Sequence, residues 1–203
     1  MTNLVNTGGV QRVLFLGYQD SKLINFLKDD GLQVKVCDER ISLDFVKQER
    51  FDFLISYGYR YIINEEILTH FCQNAINLHI SLLPFNRGSD PNFWSFVKDT
   101  PKGVSIHYLD KGLDTGDIIV QKELTFDTAK ESFSSTYKIL RDEIEKLFMQ
   151  NWQEIKTKKC KRVKQEGEFS VHKSIDKQHL IKYLHDGWDT NIKSFLDKIK
   201  DKI

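Results

Sequence analysis

The chain has 203 residues, 40% of them apolar, with 30 basic and 29 acidic side chains and a formal net charge of +1. That length supports one sizeable core with a short appendage, and the balanced charge provides no field to steer nucleic acid. No run reads as a secretory or membrane segment, and three widely spaced cysteines, Cys37, Cys72 and Cys160, argue against a disulfide framework or zinc ribbon and for a reducing cytoplasm.

Met1–Gln11 shows no periodicity and reads as a lead-in. Arg12–Gly17 (RVLFLG) is a compact apolar run, a buried first strand. In Asp20–Asp29, Leu23, Phe26 and Leu27 fall at helical spacing behind Asp20 as N-cap, with Gly31 as the stop. Leu32–Cys37 alternates as a second strand, Ser42–Gln48 is a weak helix, and Phe51–Tyr57 is a third strand. The β-α-β-α-β order predicts an α/β fold with a parallel sheet and right-handed crossovers. The first strand-to-helix turn, Gly17-Tyr18-Gln19-Asp20-Ser21, lacks the glycines that would let backbone N–H groups cradle a phosphate.

Asn64–Cys72, with Glu65 and Glu66 in its first turn, is the next helix and leads to the strand Ala75–Ile80. Alternation there puts Asn77 and His79 on one face and Ile76, Leu78 and Ile80 on the other. Ser81-Leu82-Leu83-Pro84 ends the strand, because proline cannot continue a central ladder. The amide and imidazole therefore lie toward the strand's C-terminal end, where open α/β sheets bind ligands. Val104–Tyr108 is a further strand, and the turn Gly112–Asp117 delivers Asp114 before the apolar run Ile118–Val120.

After Glu123, Asp127 or Thr128 caps a helix, with Thr128 and Glu131 as a capping box. Its apolar stripe of Phe133, Tyr137, Leu140, Ile144, Leu147 and Phe148 is core packing. Thr157–Gln165 is a basic loop, read as solvated surface or as an approach to a pyrophosphate. Gly167–Lys173 is a short β excursion, and Asp176–His185 and Asp189–Ile203 are two terminal helices. The division is a catalytic core over 1–125 and an extension over 126–203 packed on it.

An amide, an imidazole and a carboxylate in one cleft suit acyl transfer. Negative charge develops on a carbonyl oxygen under attack, and donors aimed at that oxygen are worth about 10²–10³ in rate each. Asn77 can donate from its NH₂, His79 can donate when protonated or accept a proton when neutral, and Asp114 can orient the imidazolium. No nucleophilic serine or cysteine is required, so transfer can be direct. His107 reads equally as a partner of Asp114 and as a hydrogen-bonded core histidine. A metal site from His79, His107 and Asp114 lacks any short ligand pair, which leaves no metal expected.

The series Asn77-Leu78-His79-Ile80-Ser81-Leu82-Leu83-Pro84, Arg87-Gly88, Gly103-Val104-Ser105-Ile106-His107 and Leu113-Asp114-Thr115-Gly116-Asp117-Ile118-Ile119 resembles the folate-dependent formyltransferases, clearly over Phe51 to Glu123. The resemblance implies a Rossmann-like core, mostly parallel and flanked by helices. It implies Asn77, His79 and Asp114 as the catalytic set and N10-formyltetrahydrofolate as co-substrate. It also implies a pterin pocket lined by Tyr59, Arg60, Tyr61, Ile62 and Ile63 on one side and by Asp110 and Asp114 on the other.

The segment Phe85–Trp94 is similar to formyltransferases acting on nucleotide-linked amino sugars. That likeness implies a sugar nucleotide held by Ser81, Asn86, Arg87, Gly88, Asp90 and Trp94. In it Arg87 clamps phosphate or an acidic neighbour, and Trp94 is a flat platform for sugar or base. The glycine-rich first turn used by glycinamide ribonucleotide formyltransferases is missing, and with about eighty residues after Glu123, too few for the large RNA-binding domain of methionyl-tRNA formyltransferases, a tRNA acceptor is not expected. The resemblance thus implies a cytoplasmic homodimer that handles a reduced folate and a nucleotide-linked amino sugar for lipopolysaccharide or O-antigen synthesis, without nucleic acid or membrane. Glycinamide ribonucleotide formylation and a non-catalytic folate- or sugar-nucleotide-binding module are the alternatives.

Overall fold

A computed structural model describes residues 10–202, so the unpatterned start lies outside it except for Val10 and Gln11. In chain order the strands are β1 (Arg12–Gly17), β2 (Gln33–Cys37), β3 (Phe53–Tyr57), β4 (Ala75–His79), β5 (Arg87–Gly88), β6 (Lys102–Tyr108), β7 (Ile118–Leu124) and β8 (Val171–His172). The helices are α1 (Leu23–Asp29), α2 (Leu43–Glu49), α3 (Glu65–Phe71), α4 (Pro91–Val97), α5 (Phe133–Lys156), α6 (Gln178–Ile181) and α7 (Ile192–Ile199). Six strands form one sheet in the order β2-β1-β3-β4-β6-β7, while β5 and β8 form a separate parallel pair.

The first four strands of the large sheet run parallel, as the β-α alternation requires. β6 and β7 then run antiparallel. The cause is α4, which packs beside Phe133 and Phe195 of α5 and α7 instead of crossing over the sheet, so the chain returns in the opposite sense. The sheet is buried on both faces. Val13 and Phe15 of β1 join Ile76 and Leu78 of β4 under α1 and α5, while Leu14 and Leu16 face α2 and α3 with Ala75. The alternation in β4 therefore holds: Ile76 and Leu78 enter the α5 side, and Asn77 and His79 look the other way. None of the described helices is long and apolar enough to cross a membrane.

Three local expectations change. α1 starts at Leu23, and Asp20 does not cap it; Asp20 instead forms a bidentate pair with Arg141 of α5. α5 starts at Phe133 behind a capping box of Ser132 and Ser135, not at Thr128. Asn191 explains the delay: its Nδ2 bonds the carbonyls of Thr128, Ala129 and Glu131 and keeps that segment out of helix. The terminal helices are shorter than their apolar patterns suggest, with a 3₁₀ turn at Gly187–Asp189 between α6 and α7.

Candidate active site

In the β4–β6 register Asn77 stands directly opposite His107 and His79 opposite Ser105, so the four polar side chains project from one face. The loop after β6 leaves from the N-terminal side of β4, where Leu109 N bonds Ala75 O. It then folds back over that face and lays Asp114 on it in the left-handed region, at φ 53°.

The Asp114 carboxylate is fully engaged. Oδ1 accepts from Asn77 Nδ2 at 3.0 Å and lies 3.5 Å from His107 Nε2. Oδ2 accepts from Gly88 N at 2.8 Å and lies 3.7 Å from His79 Nδ1. Burial alone would raise this carboxyl's pKa, but His79 and His107 when they carry a proton, together with the Gly88 N–H, outweigh it and hold the group well below the usual carboxylate range.

Carbonyl partners assign the histidine tautomers. His107 Nδ1 is 2.8 Å from Tyr108 O, which can only accept, so Nδ1 carries the proton and Nε2 offers its lone pair to Asn77 Nδ2 at 3.2 Å. His79 Nε2 likewise donates to Asn86 O at 2.9 Å. Its Nδ1 is left as the ring atom able to take a proton, and a proton there faces Asp114. His107, undecided in the sequence between partner and core residue, is thus a buried partner of Asn77, and its Nε2 lies beside the Asp114 carboxylate, which it can meet as a donor only when the ring is protonated.

The residues expected to hold substrate divide into two groups. Arg87 and Gly88 come to Asp114, Gly88 by its N–H and Arg87 through Gln165, whose Oε1 accepts from Arg87 Nε and Nη2 at 3.1 and 2.8 Å. The others are drawn into support. Ser81 Oγ bonds Phe85 O, and fully buried Asn86 bonds Thr100 through its side chain and His79 through its carbonyl. Asp90 pairs with Lys177. Trp94 is only 4% exposed, and its face is stacked on His172 with ring centroids 4.2 Å apart and planes within 8°. The platform expected of Trp94 is therefore occupied by the chain itself, because α4 turns the indole toward β8.

On the expected pterin side, Tyr59 and Tyr61 meet edge to face at 5.4 Å, and Tyr59 Oη bonds Glu39 O. Ile62 is 87% exposed. Arg60 is exposed as well. Tyr59, Ile63 and Leu109 pack on one apolar cluster, which brings the run after β3 and the start of the Asp114 loop to the same side of the sheet. Asp110 shapes that loop by accepting from Gly112 N at 3.0 Å and Thr115 Oγ1 at 2.6 Å. A cleft of about 360 Å³ bordered by Tyr18, Asp38, Gly58, Tyr59 and Arg60 opens at the ends of β1 and β3.

The basic loop 157–165 is mostly exposed, as expected, but two of its residues are engaged. Arg162 bonds Asp117 at 2.9 Å and Gln73 at 2.8 Å, and its guanidinium lies 3.9 Å from the Tyr108 ring centroid. Gln165 Nε2 reaches the Asp114 and Gly116 carbonyls at 2.9 and 2.8 Å. Periodicity misses these contacts, since Gln165 lies 51 positions from Asp114. The one signal was an uncharged amide closing a basic run. Among the described residues no group of three or more His, Cys, Asp and Glu is arranged to hold a metal ion.

A family model described as formyl transferase matches residues 20–151, which contain Asn77, His79, His107 and Asp114. The chain belongs to the formyl transferase family. A methionyl-tRNA formyltransferase from Clostridium botulinum is 31% identical over 157 residues, covering 76% of this chain and 50% of that protein. The chain thus spans half the length of that formyl transferase. A solved structure of the formyltransferase PseJ from Anoxybacillus kamchatkensis, in complex with UDP-4,6-dideoxy-4-formamido-L-AltNAc and tetrahydrofolate, is 44% identical. It covers 91% of this chain and 97% of its own at a TM-score of 0.86. A 4-N formyltransferase from Francisella tularensis, 21% identical, shares the fold at a TM-score of 0.69 over 86% of this chain and 81% of its own.

Proposed function

We propose that this chain moves a formyl group from N10-formyltetrahydrofolate to the amine of a nucleotide-linked amino-deoxysugar, with UDP-linked 4-amino-4,6-dideoxy sugars as the acceptors to test first. The observation that carries the reading is the Asp114 carboxylate held between Asn77, Gly88, His79 and His107, in a chain 44% identical to a formyltransferase whose structure contains a UDP-linked 4-formamido sugar and tetrahydrofolate.

The folate supplies a formyl group on a nitrogen that can leave. The sugar amine forms the new C–N bond, the bond to N10 breaks, and the proton lost by the amine ends on N10. Asn77 stabilises the oxyanion with the N–H that now points at the His107 lone pair, the weaker of its two commitments, while its other N–H stays on Asp114. His79 Nδ1 takes and returns the proton, and Asp114 faces it while it is charged. Asn86 O fixes the imidazole plane through Nε2. For the folate, support comes from the 59–63 run and the Asp110 turn lying on one side of the sheet.

The turn after β1 supports the sugar over glycinamide ribonucleotide. Its Tyr18 N is spent on Tyr57 O at 2.9 Å, and the Tyr18 ring covers Gly58, where an added Cβ would lie 2.2 Å from it. Both features work against a glycine-lined phosphate cradle in this turn. Mass spectrometry tests the reading with N10-formyltetrahydrofolate, a panel of nucleotide-linked amino sugars, glycinamide ribonucleotide and methionyl-tRNA, and His79→Ala as control. A formyl gain on an amino sugar, lost in the variant, is the expected result. Gain on the ribonucleotide or tRNA alone replaces the acceptor, and no gain on any acceptor overturns the activity.

A further inference from the structure

We infer that Gln165 is a positioning residue of the formyl transfer: its carboxamide ties the backbone of the Asp114 loop to Arg87, so that the carboxylate meets Asn77 and Gly88 and faces His79. The inference rests on the transfer reaction proposed above and names a residue outside the stretch matched by the family model, 20–151.

Every hydrogen-bonding valence of the Gln165 carboxamide is used. Nε2 donates to Asp114 O at 2.9 Å and Gly116 O at 2.8 Å, and Oε1 accepts from Arg87 Nε at 3.1 Å and Nη2 at 2.8 Å. Gln165 thereby holds both partners of a third contact. On one side is the backbone that carries the Asp114 carboxylate, and on the other is the strand whose next residue, Gly88, donates to that carboxylate at 2.8 Å.

Asp114 sits at φ 53°, in the left-handed region that aspartate adopts more readily than most residues but that still leaves the backbone direction to be set by its contacts. The loop around it is exposed at 111–113, where Asp110 bonds Gly112 N and Thr115 Oγ1 but belongs to the loop itself, whereas Gln165 reaches it from outside. The strand side is held too. β8 pairs with β5, Arg87 N and Ser89 N bond the carbonyls of Ser170 and His172, and a Cβ on Gly88 would lie 2.4 Å from the His172 oxygen. Beside the Gly88 N–H bond to the Asp114 carboxylate, Gln165 ties this braced strand to the backbone of the loop.

The side chain must be a neutral amide. Glutamate would set a carboxylate oxygen against two carbonyl oxygens, and a cation would face Arg87. Methionine keeps the length and volume but makes none of the four bonds. Gln165→Met and Gln165→Glu are therefore the variants to compare, alone and combined with Asp114→Asn, by steady-state kinetics, thermal melting and crystallography.

The expected result is a kcat lower by about tenfold to a hundredfold, as a displacement near 1 Å at a reacting centre produces, with KM for each substrate within about threefold of the unmodified chain. In the Asp114→Asn background either Gln165 variant should cost less than threefold more, because both changes act on one group. Unchanged kcat in the single variants, or losses that multiply in the double variants, would overturn the inference, as would a kcat loss in proportion to lost folded protein. The crystal structure of Gln165→Met decides independently of activity. A carboxylate moved off Asn77 and Gly88 supports the inference, and one left in place refutes it. If the unmodified chain formylates no acceptor, the proposed reaction fails while this structural test still stands.

Discussion

Asp114→Asn removes a charge and almost nothing else, so its effect follows from the distances. Oδ2 lies 3.7 Å from His79 Nδ1, and both side chains are about nine-tenths buried. At an effective dielectric of about 20, a full charge pair at that separation is worth on the order of 4 kcal/mol. If the imidazolium forms fully in the transition state, losing its partner costs about three decades of kcat, at about 1.4 kcal/mol per decade. Stability should move much less. The asparagine must turn its NH₂ toward either Asn77 Nδ2 or Gly88 N, leaving one buried donor unmatched at about 1–3 kcal/mol, while relief from burying a carboxylate works in the opposite direction. Formyl transfer assayed by mass spectrometry under saturating substrates, beside thermal melting, separates the two effects. A kcat within threefold of the unmodified chain would refute the role given to Asp114, and an equal fall in folded fraction would make the residue structural.

Asp114 also predicts an acid response. Its folded pKa is depressed, so its contribution to stability is complete above the unfolded carboxylate value near 3.9 and is lost as pH falls from there toward the folded pKa. Denaturant midpoints should therefore fall more steeply below about pH 4 for the unmodified chain than for Asp114→Asn, and parallel curves would contradict the assignment. Gly88→Ala should destabilise by about 1–3 kcal/mol and cut activity, since φ is 86° and the new Cβ would strike the His172 carbonyl; an unchanged melting temperature would count against the β5–β8 brace. Trp94→Ala should lower stability by about 3–5 kcal/mol through lost packing while leaving KM for the sugar nucleotide nearly unchanged. A large KM increase in well-folded protein would restore the platform role.

Much of the molecule is local in origin and was legible. The order of apolar runs carries the alternation of strands and helices, the spacing of Asn77 and His79 puts both on one face of β4, and the stripe from Phe133 to Phe148 marks α5 as core. Each follows from the period of a strand or a helix, which a few neighbouring residues express. Capping failed where a distant side chain intervened. Asn191 holds Thr128–Glu131 out of α5, and Arg141 takes Asp20 away from α1.

Sequence alone determined the residue types of the site and the face of β4 they share. Tertiary structure decided their partners. The antiparallel return of β6 sets His107 opposite Asn77, the packing of α4 turns Trp94 away onto His172, and the path of the chain after α5 brings Gln165 to a loop 51 positions earlier. Periodicity reports which way a side chain points. What it meets depends on strand register and loop closure, which are settled by the burial of the whole chain.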